Sequence, residues 1–349
     1  MLPLLKLLGT NSLLPLPNLH DATLAELKKS TNLVAFSGGG DSTALFFLLL
    51  ENSIPFDIAI VNYHTRVQSE DEVAYALLLA KRYGKQCFVY DCFLASANFE
   101  HHARTERYAF FESLIQEHHY TTLLTAHHLN DKLEWFLMQL SRGSGLVEMI
   151  GMNEREAREG YTLVRPFLHV NKASLENFLK NKHITYFHDE SNEQTHYLRN
   201  HIREAYATAF INEYALGIAK SFEYLENDAL RLLPSKTARI KNLFLITRNE
   251  DDLVNIRHID KVLKVLGILV SKAQREEILR TKICVVGDKM AVCFTEAFIF
   301  VAPYVNSVMD KDFKELCRNA RIPSKIRPYM YQESILPHEV LALHSNHTL

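Results

Sequence analysis

Apolar residues Leu33, Val34, Ala35 and Phe36 are followed by a short glycine-rich stretch, then by Ala44, Leu45, Phe46, Leu48 and Leu49 at helical spacing. A strand, a turn and a helix are predicted in direct succession. Residues 56–63 read as a second strand, and Ser69-Glu70-Asp71-Glu72 reads as a capping box opening a helix that ends near Gly84. Strands then follow at 86–92, 121–126 and 161–167, the last ending at Arg165-Pro166, with helices at 100–119 and 131–141 between them. This alternation predicts an α/β fold with a doubly wound, mostly parallel sheet over residues 1–204. Residues 205–233 read as nearly continuous helix, interrupted by Gly217 and stopped at Pro234, which makes 205–241 a helical arm. Beyond it, 242–349 reads as a small α+β domain. Helices are expected at 259–269 and 272–279, a hairpin at 282–286 and 289–294 turning at Gly287-Asp288, and a further strand to Val301.

With 349 residues, 47% of them hydrophobic, the chain can bury two or three cores. Its cysteines, Cys87, Cys92, Cys284, Cys293 and Cys317, form no C-x-x-C pair, so spacing signals neither a zinc site nor an iron–sulfur cluster, and a reducing cytoplasm is expected. The leucine-rich start superficially has the look of a signal peptide, but Pro3, Gly9, Asn11, Pro15 and Pro17 interrupt it and no small-residue cleavage site precedes the first core strand. A peripheral packing segment is expected there. No apolar stretch reaches spanning length, so no membrane partner is expected. The net charge of −2 divides into −5 over residues 1–200 and +3 over 201–349. Within the second part Lys314, Arg318, Arg321, Lys325 and Arg327 face only Glu315, a surplus able to contact nucleic-acid phosphates.

Ser37-Gly38-Gly39-Gly40-Asp41-Ser42 occupies the predicted strand-to-helix turn. Glycines there let backbone N–H groups converge, the following helix directs its positive end to the same point, and Ser37 and Ser42 add hydroxyls, so the turn can cradle an anion. It lacks the Gly-Lys-Ser/Thr ending of a Walker loop, and no G-x-G-x-x-G follows another strand, which argues against phosphate-transferring NTPases and dinucleotide binders.

The second polar cluster, residues 125–134, follows the predicted strand at 121–126. Asp131 and Glu134 are three apart on the next helix and share a face, and His127 lies four before Asp131. One small patch thus offers acid, base and metal-ligand chemistry.

SGGGDS resembles the PP-loop, S-G-G-x-D-S, of the N-type ATP pyrophosphatases, whose fold is the adenine nucleotide alpha hydrolase-like parallel sheet. That resemblance implies ATP cleaved between its α and β phosphates, pyrophosphate in the loop and Asp41 as ligand of Mg²⁺; Asp41 could instead serve only as an N-terminal helix charge. His127-His128-x-x-Asp131-x-x-Glu134 resembles the H-H-x-D-D-Q-x-E-T motif of the tRNA(Ile)-lysidine synthetase family. Asn62 with Arg66, Ser69 and Glu72, Asn98 with Arg104, Arg107 and Tyr108, the Arg142-Gly143-Ser144-Gly145-Leu146 turn, Arg165-Pro166, and Asp189, Ser191-Asn192, Tyr197, Arg199-Asn200 and Arg203 resemble further motifs of that family in the same order. The matches run from about residue 33 to 203, with weaker ones to Arg327. Departures are Asn130 for an aspartate, Lys132 for a glutamine, Trp135 for a threonine, Tyr63-His64 for a His-Gly pair and Glu190 for a proline.

The family resemblance implies ligation of free L-lysine to C2 of the first anticodon cytidine of a tRNA(Ile) with a CAU anticodon, through an adenylated tRNA, with AMP and pyrophosphate released. It further implies Asp41, Asp131, Glu134, Arg104 and Arg107 as catalytic, Ser37 to Ser42 as ATP-binding, and Asp131, Glu134 and His127 as lysine-binding. Arg199 and Arg203, with Arg318, Arg321, Lys325 and Arg327, are the candidates for phosphate or tRNA contact. Trp135 is expected to pack, with base stacking as its alternative. A homodimer is compatible with this reading. Two other readings share the loop: a PP-loop tRNA thiolase, which would need catalytic cysteines, and a nucleotide-binding module without catalysis, which would not need Asp131 and Glu134.

Overall fold

The computed structural model describes residues 17, 19–65, 68–94, 99–187, 198–232 and 237–345. The leucine-rich residues 1–16, together with Arg66, Asn98, Asp189, Glu190, Ser191, Asn192, Tyr197 and Pro234 of the sequence argument, lie outside them. Two units divide the chain, Met1–Glu226 and Asn227–Leu349.

The first unit opens with α1 (Asp21–Leu27), β1 (Asn32–Ala35), α2 (Gly40–Glu51), β2 (Asp57–Asn62), α3 (Gln68–Tyr83), β3 (Cys87–Asp91) and α4 (Phe99–His118). It continues with β4 (Thr122–Leu124), α5 (Leu129–Ser141), α6 (Leu146–Ile150), β5 (Arg155–Arg158), β6 (Tyr161–Val164) and α7 (Lys172–Asn181). The strand order is β3-β2-β1-β4-β6-β5. Every pairing is parallel except β5 with β6, an antiparallel edge that the sequence reading did not foresee. Arg155–Arg158 carries three charged residues in four and no apolar alternation, so hydrophobic periodicity had nothing to register.

Period-two alternation sorts the strand residues between two cores. Val34, Ile58, Ile60, Leu124 and Val164 face one way and pack with Phe46 of α2, Leu79 of α3 and Phe178 of α7. Leu33, Ala59, Leu123 and Leu163 face the other way, against Phe111, Leu114 and Ile115 of α4. Ser69 lies inside α3 rather than at its cap, so the expected capping box is not one.

After β1 the chain winds outward to β3, then returns to place β4 on the other side of β1. The segments following β1 and β4 are therefore neighbours at a topological switch point, where ligands gather in such sheets. Further on come α8 (Leu198–Ile202), a π-helical turn at Arg203–Ala207, and α9 (Thr208–Leu232). The expected break at Gly217 is absent: α9 runs through it, and the irregular residue is Tyr214, with φ −122° and ψ 21°. Leu129 and Leu133 of α5 pack against Ala207, Ile211, Ile218 and Phe222.

The second unit contains β7 (Thr237–Ile240), β8 (Leu243–Thr247), α10 (Asp252–Val265), α11 (Lys272–Thr281), β9 (Ile283–Val286), β10 (Met290–Phe294), β11 (Phe298–Pro303), α12 (Lys311–Asn319), α13 (Arg327–Gln332) and α14 (Pro337–Ser345). Its sheet, β7-β8-β11-β10-β9, is antiparallel throughout. Residues 287–289 join β9 to β10, whose first pair is Val286 with Met290, and Gly287 and Asp288 turn the chain with φ of +55° at both. Phe300 and Cys293 face α12 and α13, while Ile299 and Val292 face α10 and α11, so both sheet faces are covered.

Candidate active site

The loop between β1 and α2 is shaped by hydroxyls as much as by glycines. Only Gly38 of the three uses a positive φ, +75°. Gly40 is required for another reason, because a Cβ there would lie 3.1 Å from the Tyr186 ring. Phe187 N donates to Gly38 O at 3.0 Å and pins the loop from the outside. Ser42 is buried, and its Oγ accepts from Ser37 N at 3.2 Å and donates to Gly39 O at 3.1 Å. Ser42 thus staples the loop, and the exposed Ser37 pairs its Oγ with Ser42 Oγ at 3.1 Å. Asp41 stands in the first turn of α2 with 35% of its side chain exposed.

Opposite the loop, His128 is the residue before α5 and carries the contact between the two clusters. Its Nε2 lies 3.4 Å from Asp41 Oδ2 and its Nδ1 lies 3.4 Å from Asp131 Oδ2, while its backbone N donates to Asp131 Oδ2 at 2.9 Å. Burial would pull this imidazole down, but the Asp131 and Asp41 carboxylates on either side outweigh it and raise its pKa. The His128 ring therefore lies between two aspartates from neighbouring strand ends, in surroundings that favour its protonated form. Burial pushes the Asp131 carboxyl up, yet the His128 charge, then His127 and Arg199, bring it down to about 2. His127 precedes the helix, so it does not share a helical face with Asp131; its Nδ1 pairs with Thr125 Oγ1 at 2.9 Å, and burial lowers its pKa to about 4.

Glu134 is buried and held by two guanidiniums. Arg203 Nε donates to Oε1 at 2.7 Å and its Nη2 to Oε2 at 3.1 Å; Arg199 Nε donates to Oε2 at 2.8 Å and its Nη2 to Asp131 Oδ1 at 2.6 Å. Arg199 and Arg203, the candidates for phosphate or tRNA contact, thus clasp the two carboxylates. Arg104 lies over the Tyr108 ring at 4.9 Å and Arg107 lies beside Tyr63; among the described residues neither touches the Asp41–His128–Asp131 cluster. Arg318 and Arg321 are exposed around α12, Lys325 and Arg327 are half-buried, and Arg327 Nε donates to Ile322 O at 2.8 Å, all in the second unit.

The departures from the family motif acquire structural roles. Asn130 Oδ1 accepts from Lys172 N at 3.0 Å, tying α5 to the start of α7. Lys132 is buried, ion-paired with Glu226 and 4.8 Å over the Phe222 ring. Trp135, still 37% exposed, lies against Gly151 and donates Nε1 to Glu148 O at 2.9 Å. His128 is the functional candidate that sequence reasoning left unassigned. The signal for it was a histidine doublet directly after a strand, with only the first histidine weighed.

The residues fit a divalent cation on one observation: Asp41 is a half-exposed hard oxygen donor at the mouth of an anion-shaped loop, beside the hydroxyl of Ser37. Burial raises Cys87 to about 11 and raises Cys92, Cys284, Cys293 and Cys317 as well, so none of the five is activated as a thiolate.

A doubly wound sheet with a glycine-rich anion loop after β1 and an acidic helix after β4 defines a PP-loop ATP-binding protein, and the PP-loop domain family matches residues 17–209. The chain belongs to that family. More narrowly, it is 45% identical over 312 residues to the tRNA(Ile)-lysidine synthase of Wolinella succinogenes, covering 88% of this chain and 95% of that protein. It is 44% identical over 319 residues to the tRNA(Ile)-lysidine synthase of Campylobacter jejuni, covering 91% and 97%, and 39% identical over 314 residues to that of Helicobacter pylori, covering 89% and 92%. The chain belongs to the tRNA(Ile)-lysidine synthase family and is an ATP-dependent ligase of that family. Among the described residues no helix is long and apolar enough to cross a membrane.

Proposed function

We propose that the protein uses ATP to join free L-lysine to C2 of the cytidine at the first anticodon position of a tRNA(Ile) with a CAU anticodon, in the cytoplasm. The observation that carries this reading is the meeting of the anion loop and the Asp131–Glu134 pair at one switch point, with His128 between them. In the first half-reaction the C2 oxygen attacks the α-phosphorus of ATP and pyrophosphate leaves. Amides of residues 38–42 grip the departing diphosphate from the loop and the first turn of α2, so little reorganisation is needed as charge develops. Asp41 would hold Mg²⁺, which when bound neutralises phosphate oxygens.

In the second half-reaction the lysine ε-amine adds at C2 and AMP leaves. The ammonium must first be held and then lose a proton. Asp131, at about 2, stays anionic at neutral pH and is a poor proton acceptor, so its part is to hold the ammonium rather than to deprotonate it. Glu134 shares that task, and the incoming ammonium competes with Arg199 for both carboxylates.

Radiolabelled lysine should enter an isoleucine tRNA transcript with a CAU anticodon only when ATP and Mg²⁺ are present, with one pyrophosphate released per lysine. Asp41→Ala should abolish both readouts while circular dichroism shows the chain still folded. Pyrophosphate release without lysine incorporation would refute the ligation, and wild-type rates in Asp41→Ala would refute the site.

A further inference from the structure

A row of aromatic rings stands in solvent on the helical run that follows Arg203. Tyr206, Phe210 and Tyr214 are 58%, 49% and 48% exposed, which is unusual for side chains of this size at four-residue spacing on one helix. The buried seam of the same helix runs one position over, through Ala207 and Ile211, so the three rings flank that seam and do not enter it. His201 extends the row, its ring 5.8 Å from that of Tyr206 and perpendicular to it, and Phe210 and Tyr214 lie 5.2 Å apart.

Two backbone irregularities bracket the row. The π-helical turn at Arg203–Ala207 adds a residue to the turn that carries Tyr206, and such turns cluster at functional sites. Tyr214 itself leaves helical geometry. Without the π turn, Tyr206 would be rotated by roughly 100° relative to the residues that precede it. The turn therefore sets where the first ring of the row points relative to Arg203, which grips Glu134.

We propose that Tyr206, Phe210 and Tyr214 form a stacking platform for unpaired bases of the RNA whose target nucleotide enters the Asp131–Glu134 site. The proposal rests on the tRNA reading above and names how the loop around the target base is held. The occupant is argued from continuity: Arg203, which grips Glu134, is only three residues before Tyr206 on one helical run. A base delivered to those carboxylates brings its unpaired neighbours to this face. Phe210 and Tyr214 already touch, so bases would stack on the outer faces of the row rather than between its rings. Glu213 and Glu223 on the same helix argue against phosphate tracking as the main attraction here, whereas stacking needs only π faces.

The test uses the full chain with Phe210→Ala, Tyr214→Ala and Phe210→Leu, the last retaining apolar area while losing the ring. Each is assayed for lysine incorporation into tRNA and for binding of an anticodon stem-loop, intact or with abasic sites beside the target cytidine. Each variant is expected to raise the KM for tRNA by about five- to a hundredfold with kcat nearly unchanged, and Phe210→Tyr should restore it. The loss should vanish on the abasic stem-loop, which wild type should bind as weakly as the variants bind the intact one. Unchanged KM, or a loss equally large on the abasic RNA, overturns the proposal, as does tolerance of Phe210→Leu together with dissociation of a dimer, which would assign the face to a second copy of the chain. If wild type itself incorporates no lysine, the functional reading fails instead.

Discussion

Truncating Glu134 tests whether its clasp by two arginines is part of the fold as well as of the site. The Glu134 side chain is 2% exposed and accepts three guanidinium hydrogen bonds, whereas Arg203 and Arg199 retain 28% and 44% exposure. Removing one member of a fully buried pair costs about 3–5 kcal/mol, because the other charge is stranded. Here the stranded groups reach water, so the Arg199 contribution falls to that of a surface pair, about 0–1 kcal/mol, and Arg203 dominates. A net loss of about 2–3 kcal/mol is expected for Glu134→Ala, which for a unit of this size lowers its melting temperature by about 5–10 °C. Differential scanning calorimetry reads this directly. Glu134→Gln keeps the volume and one acceptor and should lose about half as much. Combining Glu134→Gln with Arg203→Gln should recover part of the loss, since no unpaired guanidinium then remains. A Glu134→Ala melting temperature within 1 °C of wild type would refute the reasoning and leave Glu134 with a functional role alone.

The depressed Asp131 carboxyl adds an acid-sensitive term: its folded-state pKa of about 2 lies below the ordinary carboxylate range, so its stabilisation, about 2 kcal/mol, is complete above pH 4 and is lost as pH falls through 2. Asp131→Asn should therefore flatten the stability profile between pH 4 and pH 2, as read by urea denaturation; a profile as steep as wild type would contradict it. Gly151→Ala should be severe, because Gly151 has φ +52° and an added Cβ would come within 1.9 Å of Trp135 Nε1. The protein's one tryptophan must then leave Glu148 O, so a red-shifted emission and a loss of about 2–4 kcal/mol are expected, and unchanged emission would count against the packing described. Asn130→Asp keeps the acceptor for Lys172 N and should leave lysine incorporation within about threefold of wild type. A tenfold gain would instead mark the amide as a catalytic deficit.

Particular elements separate what was legible in the chain from what was not. Strands 1 to 4, the loop at Ser37 to Ser42 and the acidic helix start were readable because apolar runs and turn residues are local signals. The Gly287-Asp288 hairpin was readable for the same reason, while β7 and β8 were not anticipated in a stretch where helix, strand and loop composition mix. That Arg199 and Arg203 close on the carboxylates was not legible, because an arginine in a motif carries no record of its partner, and Glu134 lies 65 and 69 residues away.

By itself the chain determined the alternation of elements, the chemistry at the two strand ends and the family to which they belong, all of which are written in neighbouring residues. Only the tertiary structure decided that β4 lies against β1, and hence that Asp41 and Asp131 share one buried histidine. It also decided that two arginines close on the carboxylates and that three aromatic rings are left facing water. Strand order and side-chain partners depend on contacts between residues distant in sequence, and those form only when burial of both sheet faces selects one topology.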